Sequence, residues 1–157
     1  MTLTHKACLE DPGEVSCQEM ATFLADKSAL TRSDSRPEVR AVIEPLLLAG
    51  RIATCGIVDL EILFSARSRS DYAVLAQSLR SLPRVPLTEL VVDRALEVQG
   101  MLASKSQHRS VPLPDLLVAA AAELSGLTVL HYDADFDRIA KVTEQSVQWV
   151  VKRGTVA

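Results

Sequence analysis

The sequence predicts an α/β domain: a mostly parallel central sheet of about five strands, flanked by helices. Three observations support this. Short apolar runs alternate along the chain with longer stretches of helical spacing, the pattern left by strands joined through crossover helices. One helical stretch, "VPLPDLLVAAAAELSG", is apolar nearly all round and belongs inside the molecule. The 48 % hydrophobic content comes mostly from Leu, Val and Ala, with Trp149, Tyr72, Tyr132, Phe23, Phe64 and Phe136 the only aromatics, which suits an α/β interior better than a β-sandwich. At 157 residues the chain is of single-domain size.

Element by element, "MATFLAD" reads as the first strand, ending in Asp26, and "PEVRAVIEPLLLAG" as the helix after it, closed by Gly50. "RIATC" gives a second strand, "IVDLEILFSAR" and "DYAVLAQSLRSL" two helices, and "RVPL" a short third strand despite Pro86. "TELVVDRALEVQGMLAS" follows, with Thr88 placed to cap a helix whose Leu90, Val91, Ala95, Val98 and Leu102 lie near one face; Gly100 weakens it locally. The buried helix starts at Pro112 and Pro114 and stops at Gly126. "LTVLHY" is the fourth strand, "FDRIAKV" a brief helix and "SVQWVV" a fifth strand. Residues 1–19 read as a loose polar lead-in without the apolar core of a signal peptide, and residues 20–157 as the domain, with Met20 a candidate native start. No apolar run approaches the roughly 20 residues of a membrane span. Three cysteines, Cys8, Cys17 and Cys55, without C-x-x-C spacing suggest neither a disulfide framework nor a thiolate metal site and fit a reducing cytoplasm.

In such folds ligands lie beyond the carboxyl ends of the strands, where the strand order reverses. Asp26 ends the first strand and Asp133 follows the fourth, so a reversal between these two would set both carboxylates over one crevice. Asp26 also reads as an N-cap or turn residue, with Ser28 placed to orient a carboxylate or touch a phosphate. Glu61 has Ile57, Val58, Phe64 and Ser65 at helical spacing, so its carboxylate must be paired, protonated or metal-bound. Asp59, on another side of that helix, competes with it, but reads better as a solvated first-turn acid. Asp115 opens the buried helix, where it either compensates the helix dipole or meets a cation. Asp133 and Asp135 are two apart after a strand, and Asp137 is assigned to solvent or helix initiation. Oxygen ligands without thiolates favour Mg²⁺, or Mn²⁺ as a substitute, over zinc.

His5, His108 and His131 have no metal-ligand spacing, and His131 reads as a structural histidine within a strand. No phosphate-binding glycine motif is present. The net charge of −3 argues against a lysine-coated nucleic-acid binder, yet setting five possible ligands aside from the 20 acids leaves 15 against 17 Lys plus Arg. Arg67 and Arg69, and Lys105, His108 and Arg109, flank the Glu61 and Asp115 helices, placed either for RNA phosphates or for simple solvation.

Taken in order, "FLADKSAL", "CGIVDLEILFSAR" and "PLPDLLVAAAAELSGLTVLHYDADFDRIA" resemble the PIN domain, and specifically the VapC toxins of prokaryotic toxin–antitoxin pairs, over about residues 20 to 150. The resemblance implies a Mg²⁺-dependent endoribonuclease that cuts particular RNAs, arrests translation and is neutralised by a cognate VapB antitoxin. It maps the family's acids onto Asp26, Glu61, Asp115 and Asp133 with Asp135, and favours a homodimer. The opening element more often carries Thr where this chain has Lys27. The alternative within the family is a non-catalytic module that binds RNA or a partner. Aspartate-nucleophile phosphatases and receiver domains also carry acids after strands, but neither accounts for Glu61 and Asp115 together.

Overall fold

The computed structural model describes residues 21–157. The lead-in, the start at Met20 and residues His5, Cys8 and Cys17 lie outside the described residues. The elements run β1 (Phe23–Ala25), α1 (Lys27–Ser35), α2 (Pro37–Leu48), β2 (Ile52–Cys55), α3 (Gly56–Phe64), α4 (Arg69–Arg80), β3 (Arg84–Val85), α5 (Glu89–Ala103), α6 (Leu113–Leu124), β4 (Thr128–His131), α7 (Ala134–Thr143) and β5 (Val147–Trp149). All strand pairs are parallel, in the order β3-β2-β1-β4-β5. The chain therefore moves one way from β1 through β2 to β3, then returns to add β4 on the other side of β1. The reversal falls between β1 and β4, where the sequence placed the crevice.

The pleat of the short strands divides the core. Leu24, Ala53, Cys55 and Val129 face one side, against Val58 and Ile62 of α3, Leu79 of α4, and the apolar faces of α5, α6 and α7. Ala25, Ile52 and Leu130, one residue on or back, face the other side, against Ala29 of α1 and Val39 and Ile43 of α2. Helix α6 is buried as its composition requires, from Asp115 and Leu116 through Ala122. Gly50 and Gly126 end α2 and α6 at φ +67° and +68°, each followed by an N–H that reaches back to the last turn (Arg51 to Leu46, Leu127 to Ala122). No helix among the described residues is long and apolar enough to cross a membrane.

Three local expectations are corrected. The stretch after Asp26, given no element of its own in passing from the first strand to the helix at Pro37, is the nine-residue helix α1 with Asp26 as its N-cap. Strand β3 stops at Val85, because Pro86 has no N–H to continue the ladder. Thr88 stands at the N-cap of α5 without a side-chain cap bond.

Gly100 lies exposed inside α5 with nothing within 4 Å of where a Cβ would stand. Gly100→Ala is expected to stabilise the fold by about 0.5–1 kcal/mol, read as a higher urea midpoint at unchanged slope. The last residues are held by Tyr132, whose hydroxyl donates to Val156 O at 2.7 Å and accepts the N–H groups of Gly154 and Val156 at 3.0 and 3.2 Å. Tyr132→Phe leaves these groups unpaired and is expected to cost about 1–3 kcal/mol. Faster amide exchange confined to residues 152–157 and the end of β4 would accompany the loss.

Candidate metal centre

The acids of the crevice come from four places: Asp26 from the end of β1, Glu61 from α3, Asp115 from α6, and Asp133 with Asp135 from the start of α7. Asp26 follows β1, its own N–H donating to Leu130 O of β4 at 2.9 Å, and its carboxylate caps α1 by accepting the Ser28 N–H at 2.9 Å. Ser28 ties the switch point together, since its Oγ accepts the N–H of Tyr132, just after β4, at 2.9 Å. It is buried, as is Asp26 at 4 % exposure. Ser28 thus contacts the Asp26 carboxylate through its N–H and the end of β4 through its Oγ. Burial pushes the Asp26 carboxyl up, the Ser28 hydrogen bonds pull it back, and the charge of Glu61 adds to the rise.

Asp133 is the N-cap of α7 and accepts the Asp135 N–H at 3.0 Å, while its own N–H donates to His131 Nδ1 at 3.2 Å. His131 is fully buried between the rings of Phe136 and Trp149, each 5.0 Å away. Burial holds this imidazole below its ordinary pKa, so it is a neutral structural acceptor. Asp135 points to Arg138 one turn on, and the Arg138 guanidinium also donates to Ser110 O at 3.1 Å. Burial and the neighbouring Asp133 raise the Asp135 carboxyl, and Arg138 opposes the rise.

Asp115 meets these two from the first turn of α6. Oxygen atoms of Asp115, Asp133 and Asp135 all lie within 4.8 Å of one another. The Asp115 Oδ2 is buried without a hydrogen-bond partner, and burial together with the charges of Asp26, Asp133, Asp135 and Glu61 pushes its pKa up to about 8. The five acids named from the sequence thus share one electrostatic site, though only three of them gather their oxygens closely. The donor set is all oxygen, its charges are unbalanced and one buried oxygen is unsatisfied, which fits a hard divalent cation.

Glu61 reaches the crevice from α3. Its Oε1 accepts from Lys27 Nζ at 2.9 Å and its Oε2 is buried without a partner. Of the apolar residues at helical spacing from Glu61, Val58 is buried but Phe64 is 92 % exposed, and the contact Glu61 does make is with Lys27 of α1. Asp59, read as solvated, is instead buried and ion-paired to Arg84 beside β3. Asp137, assigned to solvent or helix initiation, does stand in the first turn of α7, and it also accepts the indole N–H of Trp149 at 3.1 Å. Arg67 is exposed and lines a groove of about 1070 Å³ with residues of α1, α3 and α4. Arg109 is exposed in the loop before α6. Sequence reasoning missed Arg138, although an acid followed three residues later by Arg on a helix was a readable signal.

Fold and site together define a single-domain α/β protein with a metal-competent acidic crevice at the switch point of a parallel sheet. The PIN domain family model matches residues 24–142. Ribonuclease VapC21 of Mycobacterium tuberculosis is 49 % identical over 134 residues, covering 85 % of this chain and 96 % of the relative. Ribonuclease VapC51 of the same species is 47 % identical over 134 residues, with the same coverage. The chain belongs to the PIN domain family, in its VapC group. The fold is shared with DNA-bound VapBC from Salmonella typhimurium, at a TM-score of 0.69 and 19 % identity over 84 % of this chain and 100 % of the other. It is shared equally with FitAcB from Neisseria gonorrhoeae, at a TM-score of 0.68 and 19 % identity over 82 % and 98 %.

Proposed function

We propose that this chain is the toxin of a toxin–antitoxin pair, a Mg²⁺-dependent endoribonuclease that cuts specific RNA in the cytoplasm and so inhibits translation, with Mn²⁺ as a substitute ion. The observation that carries this reading is the convergence of Asp115, from the start of α6, with Asp133 and Asp135, at the start of α7, in a chain about half identical to proteins named as ribonucleases. The unit that acts is the PIN domain of residues 20–157.

Asp115, Asp133 and Asp135 hold the ion, with Asp26 and Glu61 completing the negative field. When bound, such an ion activates water and neutralises charge on the phosphate as it is attacked in line. The protein's own part is positioning. Ser28 fixes Asp26 at the strand end, and the Asp135 N–H holds the Asp133 carboxylate. Arg138 orients Asp135. Arg67 and Arg109 bind RNA phosphates, which supplies affinity and salt dependence but little sequence choice.

A VapB-type antitoxin and a second copy of the chain are the proposed protein partners. The groove between α1, α3 and α4, with Leu30, Ile62, Leu75, Leu79 and Leu82 along it, suits an apolar antitoxin segment. Exposed Leu60, Phe64, Leu90 and Leu96 suit the dimer.

The test is incubation of purified, antitoxin-free protein with total RNA, with Mg²⁺ and with EDTA, mapping new ends by sequencing. Defined 5′-phosphate ends that need the metal are expected. Uncut RNA in the presence of Mg²⁺ and folded protein would count against catalysis and for a binding module.

A further inference from the structure

Positive charge gathers on one side of the acidic crevice. The loop before α6, "SKSQHRSVP" at 104–112, and the segment after β5, "VVKRGTVA" at 150–157, contain no acid and carry Lys105, Arg109, Lys152 and Arg153 in a chain of net charge −3. Arg138 of α7 links both to the site. Its guanidinium donates to Asp135 in the crevice and to Ser110 O of the loop, the latter at 3.1 Å. The same side chain lines a concavity of about 590 Å³, together with Lys141 of α7 and Arg153 after β5.

The acid in this concavity is already engaged. Both Asp137 carboxylate oxygens accept the Trp149 indole N–H, at 3.1 and 3.2 Å. Lys141 and Arg153 are exposed, and neither forms an ion pair among the described residues. Arg153 is held instead over the Trp149 ring, 5.6 Å from its centroid. Lys141 follows Arg138 by three residues on α7, about 4.5 Å further along the helix axis. Cations at such a pitch, leading away from the carboxylates, match a phosphate backbone, whose charges recur every few ångströms along a strand.

We infer that substrate RNA leaves the crevice over α7 towards the end of β5, its phosphates lying in the concavity of Arg138, Lys141 and Arg153. The assignment rests on the ribonuclease reading and adds the course of the strand, which the acids alone do not define. RNA is favoured over an acidic peptide because the concavity adjoins the crevice through Ala134 and Arg138, so a strand bound there continues into the cutting site. Contacts of this kind supply affinity and salt dependence and leave the cut position unchanged.

The experiment compares three paired variants of the full chain, each shown to be folded by its melting curve. Lys141→Gln with Arg153→Gln removes two charges from the concavity without touching Arg138 or an acid. Lys141→Arg with Arg153→Lys keeps them, and Arg40→Gln with Arg80→Gln removes two exposed charges from α2 and α4 instead. The probe is a fluorescein-labelled oligouridylate, titrated in EDTA so that it stays whole, between about 50 and 200 mM KCl. Each phosphate contact on a single strand contributes about 0.7 to the slope of log K against log salt. The Gln pair in the concavity should therefore lose about 1.4 of that slope, and its Kd deficit against wild type should shrink about sevenfold across this range. The other two pairs should keep the wild-type slope. Lys141→Gln alone, which leaves Arg153 on Trp149, should lose half as much. With total RNA and Mg²⁺, the Gln pair should cut at the wild-type positions but more slowly. An unchanged slope in the Gln pair, an equal loss in the Arg40 and Arg80 pair, or no binding of the probe by wild type would overturn the path while leaving RNA cleavage by wild type intact. The expected slopes without any cleavage by wild type would overturn the catalytic reading instead and leave the path as that of a binding module.

Discussion

Asp115→Asn is expected to make the metal-free protein more stable while abolishing RNA cleavage. Asp115 is 8 % exposed, has a buried oxygen without a partner, and stands among four other acids that raise its pKa to about 8. Its folded pKa lies above the unfolded value of 3.8, so the folded state keeps a proton that the unfolded chain gives up. The stability cost therefore grows as pH rises from about 4 to about 8 and is constant above that. At pH 7 the cost is at most roughly 4 kcal/mol. Asn carries no charge, and its amide can donate to the neighbouring carboxylates, so a melting temperature higher by about 5–10 °C is expected at pH 7. With Mn²⁺ at about 100 times its Kd the order should narrow or invert, because the wild type gains roughly 2.7 kcal/mol from binding and the variant gains none. A variant that melts below the metal-free wild type would show that Asp115 stabilises the fold through contacts rather than burdening it.

That trade between fold and site explains why part of the centre was legible in the sequence. The parallel sheet followed from the alternation of apolar runs and helical stretches, and the crevice from the rule that ligands gather where strand order reverses. Asp26 and Asp133 were readable because each directly follows a strand, and Asp115 because a charge opening an apolar helix stands out against its neighbours. Glu61 was readable as an acid needing a partner, and the partner it meets, Lys27, lies on another helix. What stayed hidden was set by contacts distant in sequence. Arg84 lies 25 residues from the Asp59 it neutralises, and Trp149 lies 12 from Asp137. Helix α1 was missed because "KSALTRSDS" is polar and buries only Ser28 and Ala29, so its stability comes from the Asp26 cap and tertiary packing rather than from an apolar stripe. That the oxygens of Asp115 meet those of Asp133 and Asp135 depends on how α6 packs against the start of α7, which no spacing in the sequence encodes.

The same raised carboxyl predicts how metal affinity depends on pH. Below about 8 the Asp115 carboxyl is mostly protonated in the metal-free protein, and a metal ligand must give up that proton. Mn²⁺ affinity should therefore climb roughly tenfold per pH unit from 6 to 7 and flatten above 8, tightening by roughly 50-fold between pH 6 and 8. At pH 7 each binding event should release about 0.9 proton, visible as a binding heat that changes with the ionisation enthalpy of the buffer. The steepness separates Asp115 from an ordinary carboxylate: a ligand near pKa 4 is already ionised at pH 6 and would give a flat profile. A flat profile would mean either that Asp115 is not a ligand or that Lys27 and Arg138 already offset the acidic field it experiences. Repeating the titration with Lys27→Met decides between these, because losing the ammonium raises the Asp115 pKa further and steepens the profile only if Asp115 must lose its proton to bind the ion.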